Sequence, residues 1–112
     1  MKKNLLLIIL CVMLCGCNTI SKNDEIKSLM QEKNFIIVDV RTKEEYEISH
    51  IEGAINIPYD EINKKTTLDK EKFVFVYCKS GTRSNIAFNS LKELGYDVYD
   101  MGAFDSLELP KE

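Results

Sequence analysis

Apolar and polar residues fall into blocks along this chain, and the period of each block points to an element. Phe35-Ile36-Ile37-Val38-Asp39-Val40 is apolar but for one acid, and Phe73-Val74-Phe75-Val76-Tyr77 is apolar throughout. Continuous runs of that kind suit strands covered on both faces. Ala54-Ile55-Asn56-Ile57, stopped by Pro58, and Tyr96 to Met101 predict two more strands. Between them the spacing turns helical. Ile26, Leu29 and Met30 share one side of a helix that opens at Ser21 and Asp24, a pair resembling a capping box. Thr42 caps a short acidic helix through Glu44, Glu45 and Tyr46. Ser84 caps a third helix, whose Ala87, Leu91 and Leu94 face inward and which Gly95 ends at the C′ position. A short edge strand near Thr19-Ile20 is faintly signalled. Strands separated by helices predict an α/β architecture: a small, mostly parallel central sheet of four to five strands with helices on both faces.

The first residues follow a different logic. Lys2 and Lys3 precede the almost wholly apolar Leu5 to Leu14. A basic start, a short apolar middle and a small-residue exit make a secretory signal, and the middle is shorter than the about 20 residues that span a bilayer. The exit, Leu14-Cys15-Gly16-Cys17, resembles a bacterial lipoprotein box. That resemblance implies cleavage of residues 1–16 and lipidation of Cys17, with residues 17–23 as a polar tether and residues 24–112 as the folded domain. An ordinary cleaved signal peptide is the alternative. The expected location is extracytoplasmic, on a bacterial cell membrane through the lipid.

Cleavage would leave 96 residues, one small domain with a modest core. The formal charge of −3 becomes −5 once Lys2 and Lys3 are lost. No basic stripe or basic aromatic patch is present, so nucleic acid is an unsuited partner. A monomer is the default expectation.

Processing also singles out Cys78. Cys11 and Cys15 leave with the signal and Cys17 carries lipid, so Cys78 has no intrachain partner. Unpaired thiols are unusual where disulfides persist, which favours reactivity over packing. Cys78 lies between a buried strand and a helix N-terminus, a position suited to nucleophilic chemistry. It opens Cys78-Lys79-Ser80-Gly81-Thr82-Arg83-Ser84, with Arg83 five positions on, a C-x4-R loop.

Four segments, in order, carry a family resemblance. They are Asp39-Val40-Arg41 with Glu44, Glu45 and Tyr46; His50 through Pro58; Cys78 through Ser84; and Met101-Gly102-Ala103-Phe104 with Pro110. Together the chain resembles a single-domain rhodanese, with departures at Ser49, Ala103 and Leu107 that bear on packing and turns. The resemblance implies a sulfurtransferase that moves a sulfane sulfur from a thiosulfate-like donor to a thiol or other thiophilic acceptor through a persulfide on Cys78. It implies a curved loop in which the amides of residues 79 to 83 point at the sulfur, at the N-terminus of the next helix. The helix adds about half a positive charge, and both effects favour the thiolate, which is the nucleophile. Substrate contacts are then expected from Lys79, Ser80, Gly81, Thr82 and Arg83. Gly81 frees the backbone turn, Arg83 suits a planar oxyanion, and Lys79 and Thr82 stand at the rim. Asp39, Arg41 and Ser84 are expected to support the site. No cofactor or metal is expected.

Rival readings remain. A Cys-based phosphatase or arsenate reductase needs a larger C-x5-R loop, a non-catalytic module would bind an anion or a partner, and an exposed reactive thiol could sense oxidants. His50 reads as a structural hydrogen-bonder, and Glu44 and Glu45 as a solvated helix face. Asp39, a carboxylate in an apolar strand, needs a partner such as Arg41 or nearby amides. Tyr77 and Phe88 are placed either at the pocket mouth or in the core.

Overall fold

A computed structural model describes residues 20–112. The signal segment, Cys17 and Thr19 lie outside the described residues, and Ile20 belongs to no strand. The elements are α1 (Lys22–Glu32), β1 (Phe35–Asp39), α2 (Lys43–Ile48), β2 (Ile55–Asn56), β3 (Phe73–Cys78), α3 (Thr82–Glu93) and β4 (Val98–Ala103), with short 3-10 turns at Tyr59–Glu61 and Phe104–Ser106. The four strands form one sheet in the order β2-β1-β3-β4, and every pairing is parallel. The α/β architecture expected from the sequence is therefore present, with four strands among the described residues.

Strand side chains alternate between faces, and the core divides accordingly. Ile37, Phe75 and Tyr77 pack with Ile26 of α1, Met101 and Leu107, with Tyr46 of α2 against the same cluster. Val38, Val40, Val74, Val76 and Cys78 pack with Ala87 and Leu91 of α3 and with Tyr96. Helices thus cover both faces, which is why β1 and β3 read as continuous apolar runs. Leu107, a departure from the family pattern, is buried in the first cluster.

The helix ends explain most of the boundaries. Ser21 Oγ accepts from the Asp24 amide at 3.2 Å. Thr42 and Glu45 form a full capping box. After α3, the Tyr96 amide bonds to Leu91 O and the Gly95 amide to Lys92 O, with Gly95 at φ +93°. That is a Schellman ending, and it needs a left-handed residue at C′.

Several boundaries differ from expectation: β1 stops at Asp39 and not Val40, β2 keeps only Ile55–Asn56 of the run from Ala54 to Ile57, and β4 runs past Met101 to Ala103. The cap of α3 is Gly81, not Ser84, which lies in the helix's first turn. The last strand starts at Val98, not Tyr96, because Tyr96 completes the Schellman turn and its hydroxyl is tied to Thr66 O and the Leu68 amide. The ladder between β3 and β4 is also irregular: Val76 opposes Asp100, Tyr77 opposes Gly102 and Cys78 opposes Ala103. Met101 is the extra residue of a bulge, and such bulges re-aim side chains at functional rims.

Candidate active site

The site lies at the C-terminal edge of the parallel sheet, where strands hand over to helices and where open α/β sheets bind ligands. β3 delivers Cys78 there. Its even place in the alternation turns the side chain to the α3 face, and the residue is fully buried. The chain then bends through Lys79 and Ser80 to Gly81, whose φ is +100°. Residues with a Cβ rarely adopt that angle. The turn aims the Gly81 amide at Cys78 Sγ, 2.9 Å away. A Cβ on Gly81 would meet Gly102 Cα only at 4.0 Å, so the dihedral and not crowding demands glycine.

Ser84 sits one turn into α3, buried under the loop. Its hydroxyl donates to Gly81 O at 3.1 Å, and the Cys78 thiol donates to Ser84 Oγ at 3.4 Å. The Gly81 amide is the member of the 79–83 series that bonds the sulfur; the Ser84 hydroxyl supplies a second polar contact. An ionised sulfur would find a ready donor in that hydroxyl if it rotated away from Gly81 O.

Asp39 and Arg41 form a buried web on the opposite face of the same edge. Asp39 Oδ1 accepts from the Arg41 amide at 2.9 Å and from Nε at 3.0 Å, while Oδ2 accepts from Arg41 Nη2 at 2.6 Å. The Tyr77 hydroxyl donates to Oδ2 at 2.8 Å and accepts from the Ile51 amide at 3.0 Å. Arg41 Nη2 also donates to Ser49 O at 2.6 Å. Burial works to lower the Arg41 guanidinium, but Asp39 and Tyr77 together outweigh it and hold the group above its ordinary value. Burial pushes the Tyr77 hydroxyl up, and Asp39 beside it adds to the rise. Tyr77 is thus a core residue with a polar task, and Phe88 packs part-buried on the α3-side cluster.

Arg83 is committed to a partner that sequence reasoning passed over. Its Nη1 donates to Glu45 Oε1 at 2.7 Å and its Nη2 to Oε2 at 3.1 Å. Glu45 is therefore not part of a free solvated face. The Arg83 guanidinium, with help from Thr42 and against the pull of burial, holds the Glu45 carboxyl down at about 2. The signal for Glu45 was present in the sequence: the Thr42-x-x-Glu45 spacing of a capping box pins that side chain to the turn after β1.

Two hollows flank the loop. One, of about 220 Å³, is lined by Arg41, Glu45, Ile48, Ser49, Lys79 and Phe104, among others. The other, of about 670 Å³, is lined by Ser80, Gly81 and Thr82 together with Lys22, Ile86 and Gly102. The predicted loop residues are thereby divided: Lys79 faces the first hollow, Ser80 and Thr82 the second. His50 stands apart from both. It stacks on Tyr46 at 3.8 Å, with Nδ1 at 2.8 Å from Tyr46 O and Nε2 at 3.2 Å from Glu112 Oε1, and so ties down the end of the chain.

Known proteins are similar to this chain in sequence and fold. Thiosulfate sulfurtransferase PspE of Escherichia coli is 38% identical over 78 residues, which cover 66% of this chain and 75% of that protein. Adenylyltransferase and sulfurtransferase uba4 of Ogataea parapolymorpha is 36% identical over 84 residues, 71% of this chain but 22% of that much longer protein. A solved rhodanese with anions from E. coli superposes with a TM-score of 0.63 at 38% identity, over 69% of this chain and 95% of that one. The profile of the rhodanese-like domain matches residues 22–106, and the chain belongs to that family, whose members include sulfurtransferases.

Proposed function

We propose that Cys78 is the nucleophile of a sulfur-transfer reaction with a thiosulfate-like donor. The observation that carries this reading is the contact between the buried Cys78 Sγ and the Gly81 amide, 2.9 Å apart on a short C-x4-R loop. In the first half-reaction the Cys78 thiolate attacks the outer sulfur of the donor. A bond forms between Sγ and that sulfur, the donor's S–S bond breaks, and sulfite leaves with the electron pair. In the second, an acceptor thiolate attacks the outer sulfur of the Cys78 persulfide. The Cys78 S–S bond breaks, and its electron pair returns to Sγ. Donor and acceptor supply every atom and electron, so the transfer needs no metal or organic cofactor. The loop suits a single extra sulfur better than a tetrahedral phosphate, which favours transfer over phosphate-ester hydrolysis.

Mass spectrometry after thiosulfate treatment tests the reading. The expected result is a reducible gain of one sulfur atom on the peptide carrying Cys78. An unmodified Cys78 with hydrolysis of phosphate esters would favour a phosphatase, and anion binding without either reaction a passive module.

The leader supports a second part of the proposal: a lipid on Cys17 holds the domain on the outer side of a bacterial cell membrane. The Leu14-Cys15-Gly16-Cys17 segment is its basis. Cys17→Ser is expected to move the protein from the membrane fraction to the soluble one. Continued membrane association of that variant would refute the anchor.

A further inference from the structure

Glu45 does more than cap a helix. Its Oε1 accepts from the Thr42 amide and hydroxyl, each at 3.1 Å, and both its oxygens hold the Arg83 guanidinium end-on. A residue of α2 is thus joined to a residue of α3 across the edge of the sheet, beside the loop that holds Cys78. The pair is about one-quarter exposed on each side, sheltered enough to keep its geometry yet open to an arriving ligand. The neighbouring cation is treated alike: Arg41 is matched by Asp39. Lys79 remains the cation of the 220 Å³ hollow with no ion pair among the described residues, and Asp105 lines the same hollow. Ser49 and two apolar side chains complete that wall. The apolar two are Phe104 and Ile48, and Ile48 is 86% exposed, an unusual degree for a large aliphatic residue beside a site.

Building on the transfer reaction proposed above, we infer that Glu45 sets the donor charge this site selects. By clamping Arg83 and cancelling its charge, Glu45 tunes the site to singly charged organic sulfane donors, of the thiosulfonate class, over doubly charged inorganic thiosulfate. A bare guanidinium attracts a dianion twice as strongly as a monoanion at the same distance. A guanidinium already matched by a carboxylate gives the dianion little of that advantage. The organic substituent of a thiosulfonate can instead bury apolar surface against Ile48 and Phe104. Glu45 touches no reacting atom, so it is a positioning and selectivity residue.

The test is the ratio of kcat/KM for thiosulfate to kcat/KM for benzenethiosulfonate, with cyanide as acceptor. A ratio within one variant does not depend on how much of that variant is folded. The native protein is expected to prefer benzenethiosulfonate. Glu45→Gln keeps an oxygen for the Thr42 amide but uncovers Arg83, and should raise the ratio about fivefold, chiefly through KM, as for one charge felt several ångströms away in a partly wet site. Arg83→Gln uncovers Glu45 and should lower the ratio by a similar factor. The double variant has the native net charge and should return to within about twofold of the native ratio. Single variants that leave the ratio unmoved, a double variant that does not return, or a native preference for thiosulfate would each overturn the inference alone. Failure of both donors to load Cys78 of the native protein would overturn the transfer reaction along with it.

Discussion

Cys78→Ser is expected to abolish sulfur transfer, lowering turnover by about 10³-fold or more to the uncatalysed background, while leaving the domain folded. The two halves of that expectation have separate causes. Transfer stops because a serine hydroxyl is not ionised near neutral pH and, among the described residues, no base stands beside it. Among the described residues the polar contacts of the Cys78 sulfur are the Gly81 amide and the Ser84 hydroxyl, neither of which can take a proton from serine. The fold persists because serine has nearly the shape of cysteine and can accept from the Gly81 amide, so no buried donor is orphaned. The stability change should stay within about 1 kcal/mol. Persulfide mass spectra and urea unfolding on the same sample read both halves. Among the described residues Cys78 is the one free cysteine. Transfer by the serine variant within tenfold of native would place the chemistry elsewhere and end the case for this residue.

Why the loop was legible and its surroundings less so follows from the range of the forces involved. Strand, turn and helix around Cys78 are set by contacts close in sequence: the apolar run Phe73 to Tyr77, a glycine where φ must be +100°, and a helical pattern after it. Such signals survive in a single sequence. Serine is a favoured N-cap, which is why the sequence points to Ser84 as the cap of α3. The turn instead needed a left-handed residue at Gly81, and Ser84 was drawn one turn inward to meet Cys78 and Gly81 O. The partner of Arg83 was hidden for a different reason. Glu45 is 38 positions away, and only the parallel pairing of β1 with β3 brings the two helices that follow them side by side. Asp39 lies between these cases. Its need for a partner was plain from its apolar strand, and Arg41 is near in sequence. Tyr77, the second donor, becomes visible only through the register that sets Asp39 opposite Tyr77.

That register leads to the largest expected loss of stability. Asp39→Ala should destabilise the domain by about 3–5 kcal/mol, the range for removing one partner of a buried ion pair. The cost lies less in the lost attraction than in what stays behind. Arg41 would be left buried with a full charge, and the Arg41 amide, Nε and the Tyr77 hydroxyl would each lose an acceptor. Small domains hold only about 5–15 kcal/mol in all, so much of the total would go. Asp39→Asn keeps one oxygen for the Arg41 amide and Nε but turns an NH₂ toward Nη2 and the Tyr77 hydroxyl, so it should also destabilise, by less. Adding Arg41→Met to Asp39→Ala removes the orphaned charge and should recover part of the loss, because an apolar replacement of a buried pair is often near neutral. Urea midpoints of the three variants decide the matter. If Asp39→Ala stays within about 1 kcal/mol of native, or Arg41→Met deepens the defect, the web is not what steadies this edge of the sheet. If the order holds, the ion pair explains how the turn after β1 keeps its place. That turn begins α2, and α2 carries Glu45 to Arg83. A buried pair on one face would then fix the geometry of the part-buried pair that crosses the edge of the sheet beside the sulfur.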